Sequence, residues 1–246
     1  MSTVVCEEVI MDEGDIFARE KLLIGEERFN EAVKKCVLIA GLGGVGGACM
    51  QSLVRAGIHN FILIDGDVVE PTNINRQMIA NQNTIAMRKV DAAKEMIFTI
   101  NPSAKVHAVD AIISKDNIGE LLPSETIKNV YYIVDAIDDI EAKTELALIA
   151  KKRGINIISS MATGKRLDPA KLTLGDVYDV KGAFAKKLKK AYREAGIDSE
   201  EVIYSTEPRI ADFYENPENK ISSIAFVPIA AGNLMAATVF KKMIKM

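Results

Sequence analysis

The segment Gly41-Leu42-Gly43-Gly44-Val45-Gly46 constrains this chain more than any other part of it. It satisfies G-x-G-x-x-G and follows an unbroken apolar run, Cys36 to Ala40, that reads as a strand buried on both faces. A helical pattern continues to about Ala56, with Gly57 placed as its stop. Strand, glycine turn and helix in this order bring backbone close to a phosphate, and the helix N-terminus offers it unpaired N–H groups. Asp65 ends the next strand, Phe61 to Ile64, nineteen residues beyond Gly46, where a carboxylate can hold ribose hydroxyls. Gly41, Gly43, Gly44, Gly46 and Asp65 are therefore candidate nucleotide-binding residues.

The alternation of strand and helix carries on. A helix is expected from about Arg88 to Thr99, closed by Asn101-Pro102, then a strand-like run from Val106 to Ile113 and a short helix near Asn117 to Leu122. Strand Val130 to Val134, helix Glu141 to Arg153 with its stop at Gly154, and strand Ile155 to Ser159 follow. Units at this spacing connect by right-handed crossovers, so the fold class is α/β: an open, mainly parallel sheet with helices on both faces. Residues 1–30 read as an N-terminal helical arm and 31–160 as the nucleotide-binding core. Residues 161–246 read as a substrate-binding extension of the same domain, with strands over Leu172 to Val180 and Val202 to Ser205 and a helix over Ala183 to Ala195. Thr206 to Asn219 reads as a loop. No charge falls between Ile221 and Phe240, a length that approaches a membrane span. Pro228, Gly232, Asn233 and two serines dilute that run, and Ile229 to Ile244 is read as a core helix, with no stable membrane insertion.

A glycine turn by itself does not separate NAD from ATP. The loop from Asp65 to Gln77 does, because a dehydrogenase needs only one acid there. Moving a nucleotidyl group calls for a divalent ion and several donors along a polyphosphate. Asp67 suits the metal, Asn73 and Arg76 the phosphates, and Lys89 adds charge from the following helix. A solvated polar loop is the plain alternative. A second acidic run, Asp135-Ala136-Ile137-Asp138-Asp139, ends a strand and is expected to point into the same crevice. Asp138 is then a candidate metal ligand, unless it or Asp139 simply caps the next helix.

These residues together resemble the ubiquitin-activating-like adenylyltransferases, which include the molybdopterin and thiamine sulfur-carrier activating enzymes. The matching elements are the glycine turn, Asp65-x-Asp67, Asn73-x-Asn75-Arg76-Gln77, Lys89, Asn101-Pro102 and Asp135-Ala-Ile-Asp138. The resemblance implies a Rossmann-like fold that uses ATP and Mg²⁺ to adenylate a carboxylate. Asp67, Arg76, Lys89 and Asp138 would be catalytic, with Asp138 holding the metal through ATP; Asn73, Asn75 and Gln77 would join the glycines in nucleotide binding. The arm Phe17-Ala18-Arg19-Glu20-Lys21-Leu22-Leu23 also matches, and it implies a homodimer in which Arg19 reaches the partner's ATP site. Within the superfamily the chain is most similar to the tRNA threonylcarbamoyladenosine dehydratase family. The carrying segments are Thr163-Gly164-Lys165-Arg166-Leu167-Asp168-Pro169, Val202 to Glu207 and Ser223 to Pro228. That likeness implies activation of a threonyl carboxylate on a tRNA nucleoside, followed by ring closure with net loss of water. One departure concerns the segment before the basic helix. Relatives often carry Cys/Asp-Pro-Leu there, whereas this chain has Val180-Lys181-Gly182-Ala183-Phe184.

Composition narrows the branch. The three cysteines, Cys6, Cys36 and Cys49, form no C-x-x-C pair and none follows Cys49. A thioester-accepting cysteine after the nucleotide site and a four-cysteine zinc site are both missing, and a reducing, cytoplasmic setting fits. The first residues are polar and acidic rather than basic-then-apolar, so no signal peptide is expected. His59 and His107 are expected in structural places, and adenylation needs no general base because a carboxylate is already ionised at pH 7. The net charge of -3 excludes a generally basic, RNA-coating surface, so any tRNA contact must be local. Lys186, Lys187, Lys190 and Arg193 on one predicted helix, with Lys165 and Arg166 ahead of it, are the candidate tRNA stripe; a solvated face is the alternative. Two further readings stay in view: adenylation of a ubiquitin-like sulfur carrier, with a sulfur-transfer partner protein, and a non-catalytic nucleotide-sensing dimer.

Overall fold

The computed structural model describes residues 16–215 and 221–246. Two short helices, α1 (Ala18–Ile24) and α2 (Glu26–Val33), lead in, so the described part of the arm expected over 1–30 is broken at Gly25; residues 1–15 of it lie outside the described residues. Phe17 and Phe29 pack together with ring centroids 5.4 Å apart, which holds the start of α1 against α2. Strand β1 (Cys36–Ala40), helix α3 (Gly44–Arg55) and strand β2 (Asn60–Ile64) follow, then α4 (Lys89–Ile100) and β3 (Lys105–Val109). Short helices α5 (Ile118–Leu121) and α6 (Ser124–Ile127) precede β4 (Val130–Asp135), α7 (Ile140–Arg153) and β5 (Asn156–Ser160). The last elements are β6 (Leu172–Asp176), α8 (Ala183–Glu194), β7 (Glu201–Ser205) and α9 (Phe226–Met243).

The seven strands lie in the order β3-β2-β1-β4-β5-β7-β6. All neighbours are parallel except β6 and β7. Chain order reverses between β1 and β4, and open α/β sheets bind ligands outside the strand ends at such a reversal. Ala40 is level with Ile64 on one side and with Asp135 on the other, so Gly41, Asp65 and Ala136 leave the sheet side by side.

Alternate residues feed opposite faces, as a doubly covered sheet requires. Val37, Ile39, Phe61, Leu63 and Val134 meet α3, α4 and α9, while Leu38, Ile62 and Ile133 meet α7. A third cluster seats Leu188 and Tyr192 of α8 against Val177 and Val202. Helix α9 lies close against α3: a Cβ on Gly232 would stand 2.3 Å from the Val45 carbonyl oxygen. It begins at Phe226, three residues ahead of the expected Ile229, because Pro228 in the first turn costs no helical hydrogen bond. No helix among the described residues is long and apolar enough to cross a membrane.

Two strands are shorter than expected. β3 stops at Val109, where Asp110 turns aside to accept hydrogen bonds from Arg88. β6 stops at Asp176, whose carboxylate accepts the Tyr178 N–H at 2.8 Å and opens a short 3-10 turn. Cys36 and Cys49 are free thiols, and Cys6 lies outside the described residues.

Candidate active site

The glycine turn is built from close approaches. Gly41 has a φ of +87°, and a Cβ on it would meet the Ala136 carbonyl oxygen at 2.8 Å. A Cβ on Gly46 would lie 1.8 Å from the Gly41 carbonyl oxygen, so only glycine fits there. Asp65 then ties the turn to the next loop: Oδ2 accepts the Leu42 N–H at 2.7 Å and Oδ1 accepts the Asp67 N–H at 2.9 Å. Each oxygen keeps a second lone pair for a ribose hydroxyl.

Behind Asp65 the chain folds back on itself. An isolated bridge between Val68 and Arg88 brings the start of α4 under the loop, and the Lys89 N–H bonds the Asp67 carbonyl. Buried Lys89 consequently reaches Asp67 Oδ2 at 2.6 Å and Asp65 Oδ1 at 3.9 Å. Asp67, Lys89 and Asp65 thus form one cluster, in which the Asp67 carboxylate expected at the metal is paired with Lys89. Arg88, which the sequence reading passed over, braces this rim through Asp110 and the Gly66 carbonyl.

The Asn-Arg-Gln element also makes bonds within the protein. Asn73 is buried, and its Oδ1 accepts the Glu70 N–H at 3.1 Å in a reciprocal cap. Asn75 donates to the Ser223 carbonyl at 2.9 Å, which fastens this loop to the segment leading into α9. The Asn73 oxygen and the Asn75 side-chain nitrogen are thus engaged within the protein. Arg76 is held by the Thr72 carbonyl and by Asn75 Oδ1, each at 2.9 Å, which pre-orients its guanidinium. Gln77 is buried next to Gly43, and its Oε1 has no partner among the described residues.

Arg76, Gly44 and Asp138 line one cleft of about 290 Å³, together with Ser160, Gly164 and Phe184. Asp138 is exposed there, and its carboxylate has no partner among the described residues. The helix-capping role falls to Asp139, which accepts the Ala142 N–H at 2.8 Å. Asp135, expected to face the crevice, is instead fully buried and paired with Lys143. No group of three or more His, Cys, Asp or Glu able to hold a metal occurs among the described residues. A divalent ion at Asp138 would therefore complete its shell with phosphate oxygens and water, which suits Mg²⁺.

The basic residues divide into two sets. Lys165, at a left-handed φ of 61°, pairs with Asp212 at 2.5 Å. Arg166 bonds the Ala162, Gly164 and Glu207 carbonyls. Both act as internal braces beside the cleft, which corrects their expected place in an open stripe; burial and then Arg209 lower the Arg166 pKa. Lys186, Lys187, Lys190 and Arg193 do stand exposed on α8, with Lys190 near Glu194 at 3.8 Å. Phe184, in the first turn of α8, carries that helix to the cleft wall. Arg19 is exposed on α1 and is not among the residues lining its own chain's cleft. Burial pushes the Cys36 thiol up to about 11 and Cys49 higher still, so neither is a ready thiolate.

The model of the ThiF family matches residues 17–246. The tRNA threonylcarbamoyladenosine dehydratase of Bacillus subtilis is 32% identical, with 93% of this chain and 94% of that one aligned. The Haemophilus influenzae protein of the same name is 34% identical over 57% of this chain and 52% of its own length. A molybdopterin-synthase adenylyltransferase from H. influenzae is 31% identical across 51% of this chain and 50% of its own. Among solved structures, Escherichia coli tRNA N6-threonylcarbamoyladenosine dehydratase in complex with ATP superposes with a TM-score of 0.85 at 24% identity, covering 96% of this chain and 98% of that one.

Proposed function

The chain belongs to the ThiF family, and from that premise we propose that it adenylates a carboxylate with ATP, the substrate being N6-threonylcarbamoyladenosine in tRNA. One observation carries the reading: Gly44 of the phosphate turn, Arg76 and Asp138 converge on a single cleft. The other half of the nucleotide site, Asp65 with Asp67 and Lys89, leaves the sheet next to it. Mg²⁺ held by Asp138 and by the phosphates would neutralise charge on the polyphosphate.

The residues divide the work as follows. The glycine turn accepts the phosphates on backbone N–H groups, and Asp65 offers its free lone pairs to the ribose. Arg76, fixed by Thr72 and Asn75, faces the charge that grows on the α-phosphate and on departing pyrophosphate. Lys89 adds a buried positive charge on the Asp67 side. A substrate carboxylate entering between Ser160 and Phe184 attacks the α-phosphorus, forming an acyl-adenylate and releasing pyrophosphate. Attack on that acyl carbon from within the same threonylcarbamoyl group closes the ring and expels AMP. The net change in the nucleoside is loss of one water.

Further parts of the reading extend beyond this cleft. Residues 161–246 supply the substrate wall, with the exposed face of α8 as the tRNA stripe. A homodimer would bring Arg19 to the partner's ATP site; Leu22 and Leu23 beside it are 87% and 85% exposed, apolar surface that a second copy would cover. A reducing, cytoplasmic setting suits the free thiols. The sulfur-carrier alternative, with its sulfur-transfer partner, shares the cleft but gives α8 no task.

Nucleoside mass spectrometry tests the proposal. Incubation with ATP, Mg²⁺ and tRNA bearing threonylcarbamoyladenosine should lower that nucleoside by the mass of one water while AMP accumulates. AMP formation only with a ubiquitin-like carrier, and an unchanged nucleoside, would transfer the assignment to the sulfur-carrier branch.

A further inference from the structure

Lys143 sits eight residues beyond Asp135 on α7, in a stretch that otherwise reads as ordinary charged helix. Its side chain is 0% exposed, and Nζ lies 2.8 Å from Asp135 Oδ2. The Ser159 hydroxyl donates to the same oxygen at 2.7 Å, while Oδ1 accepts the Ile137 N–H at 3.2 Å. Oδ2 is thus held from α7 and β5, while Oδ1 is bonded to the turn that follows β4. That turn is itself the back wall of the phosphate loop. The Ala136 N–H bonds the Ala40 carbonyl at 2.8 Å, the Ala136 carbonyl is what a Cβ on Gly41 would strike, and Ala136 Cβ would lie 3.1 Å from one on Gly46. Two residues further on, the same turn delivers Asp138 to the cleft.

A dry ion pair is a poor way to make a fold stable. Desolvation cancels much of the attraction, and well-packed apolar replacements are often neutral or better. What such a pair does supply is a fixed geometry, since the carboxylate cannot rotate without abandoning its cation. Glu200 sits in the same pocket, accepting the Tyr192 hydroxyl at 3.0 Å. Burial, then the charge of Asp135, push Glu200 up to about 7, so in its protonated form it leaves Lys143 to Asp135.

We propose that Lys143 is a positioning residue for the adenylation step. Its pair with Asp135 clamps the 135–138 turn against the glycine loop, so Asp138 and the phosphate cradle keep one mutual geometry. The proposal rests on the adenylation reading above. Nothing requires Lys143 to touch substrate.

The test is the double variant Asp135→Asn with Lys143→Met, which removes both charges at nearly constant volume, alongside Lys143→Arg, which keeps the cation. Melting temperature, backbone amide exchange at Ala136 and Ile137, and ATP–pyrophosphate exchange with threonylcarbamoyladenosine tRNA are measured on the full chain. The double variant should melt close to the parent yet exchange both amides faster. Its kcat should fall about a hundredfold, the scale of a misplaced catalytic group, at nearly unchanged KM for ATP. Lys143→Arg should recover much of that kcat. Parental amide protection and parental kcat in the folded double variant overturn the proposal. If the parent catalyses no exchange at all, the adenylation reading is what fails, and the amide data alone then decide whether the pair holds the turn.

Discussion

Arg76 and Lys89 are both cations in the candidate nucleotide site, and their surroundings give them different duties. Lys89 is buried and already paired with Asp67, so its charge is shared with the protein before any nucleotide arrives. Arg76 is half-buried and donates its two bonds to neutral oxygens, with no ion-pair partner among the described residues. Removing it should therefore hurt chemistry more than folding. Arg76→Ala is expected to lower kcat/KM for ATP–pyrophosphate exchange by about a hundredfold or more, the usual cost of a donor aimed at developing charge. Thermal melting should stay near the parent, because no buried carboxylate loses its partner; a melting collapse matching the activity loss would assign Arg76 to the fold instead. Arg76 stands out in the sequence as a cation behind the second strand and through the resemblance of Asn73-x-Asn75-Arg76-Gln77 to the superfamily's element. Asn73 and Asn75 belong to the same pattern, yet their amides hold the loop and the α9 lead-in. Residue type and spacing do not reveal which neighbour an amide will bond.

Helix α8 shows how far a periodic pattern can be trusted. Phe184, Leu188 and Tyr192 recur on one face and pack inward, while Lys186, Lys187, Lys190 and Arg193 occupy the other, as the amphipathic spacing required. Charge alone groups Lys165 and Arg166 with them. Loop residues carry no periodicity to predict direction, and these two turned inward to carbonyls and to Asp212. The usable stripe is thus shorter than the count of basic residues suggests. Lys186→Gln with Lys187→Gln should weaken tRNA binding and reduce the salt slope by about 1.5 to 2, as two lost phosphate contacts would. ATP affinity should be unchanged, since the glycine turn lies on other elements. A binding-versus-salt titration with an unaltered slope would return α8 to the role of a solvated face.

At the scale of the whole molecule, the buried set Asp135, Lys143, Ser159, Tyr192 and Glu200 joins β4, α7, β5 and α8 to the segment entering β7. It makes stability depend on pH in a direction opposite to that of an ordinary salt-bridged carboxylate. Glu200 is raised from its ordinary 4.5 to about 7 in the fold, so the unfolded chain releases this proton first as pH rises. Its contribution is favourable below pH 4.5, declines as pH climbs towards 7, and then levels off. Glu200→Gln keeps the Tyr192 acceptor and removes the titration. It should be the more stable form at pH 8, by an amount on the order of 2–3 kcal/mol, and the gap should shrink towards pH 5. Denaturant melts at the two pH values check this; a gap independent of pH would mean that Glu200 stays ionised in its pocket.

What the sequence determined by itself was whatever depends on near neighbours. The glycine turn, the strand and helix periods, the acids at strand ends and the burial of the last helix all follow from local spacing and apolar pattern. The one-dimensional record also carried Arg76 and Asp138 into the right crevice, because the carboxyl ends of parallel strands converge wherever chain order reverses. Tertiary structure alone decided that β7 enters between β5 and β6, and that β6 runs against it, since strand order depends on long-range pairing. It also decided which acids face the cleft. Asp135 and Asp138 are three residues apart on one turn, yet one is sealed against Lys143 and the other is open to solvent. Burial of a charge is set by what packs above it, and that partner comes from another part of the chain.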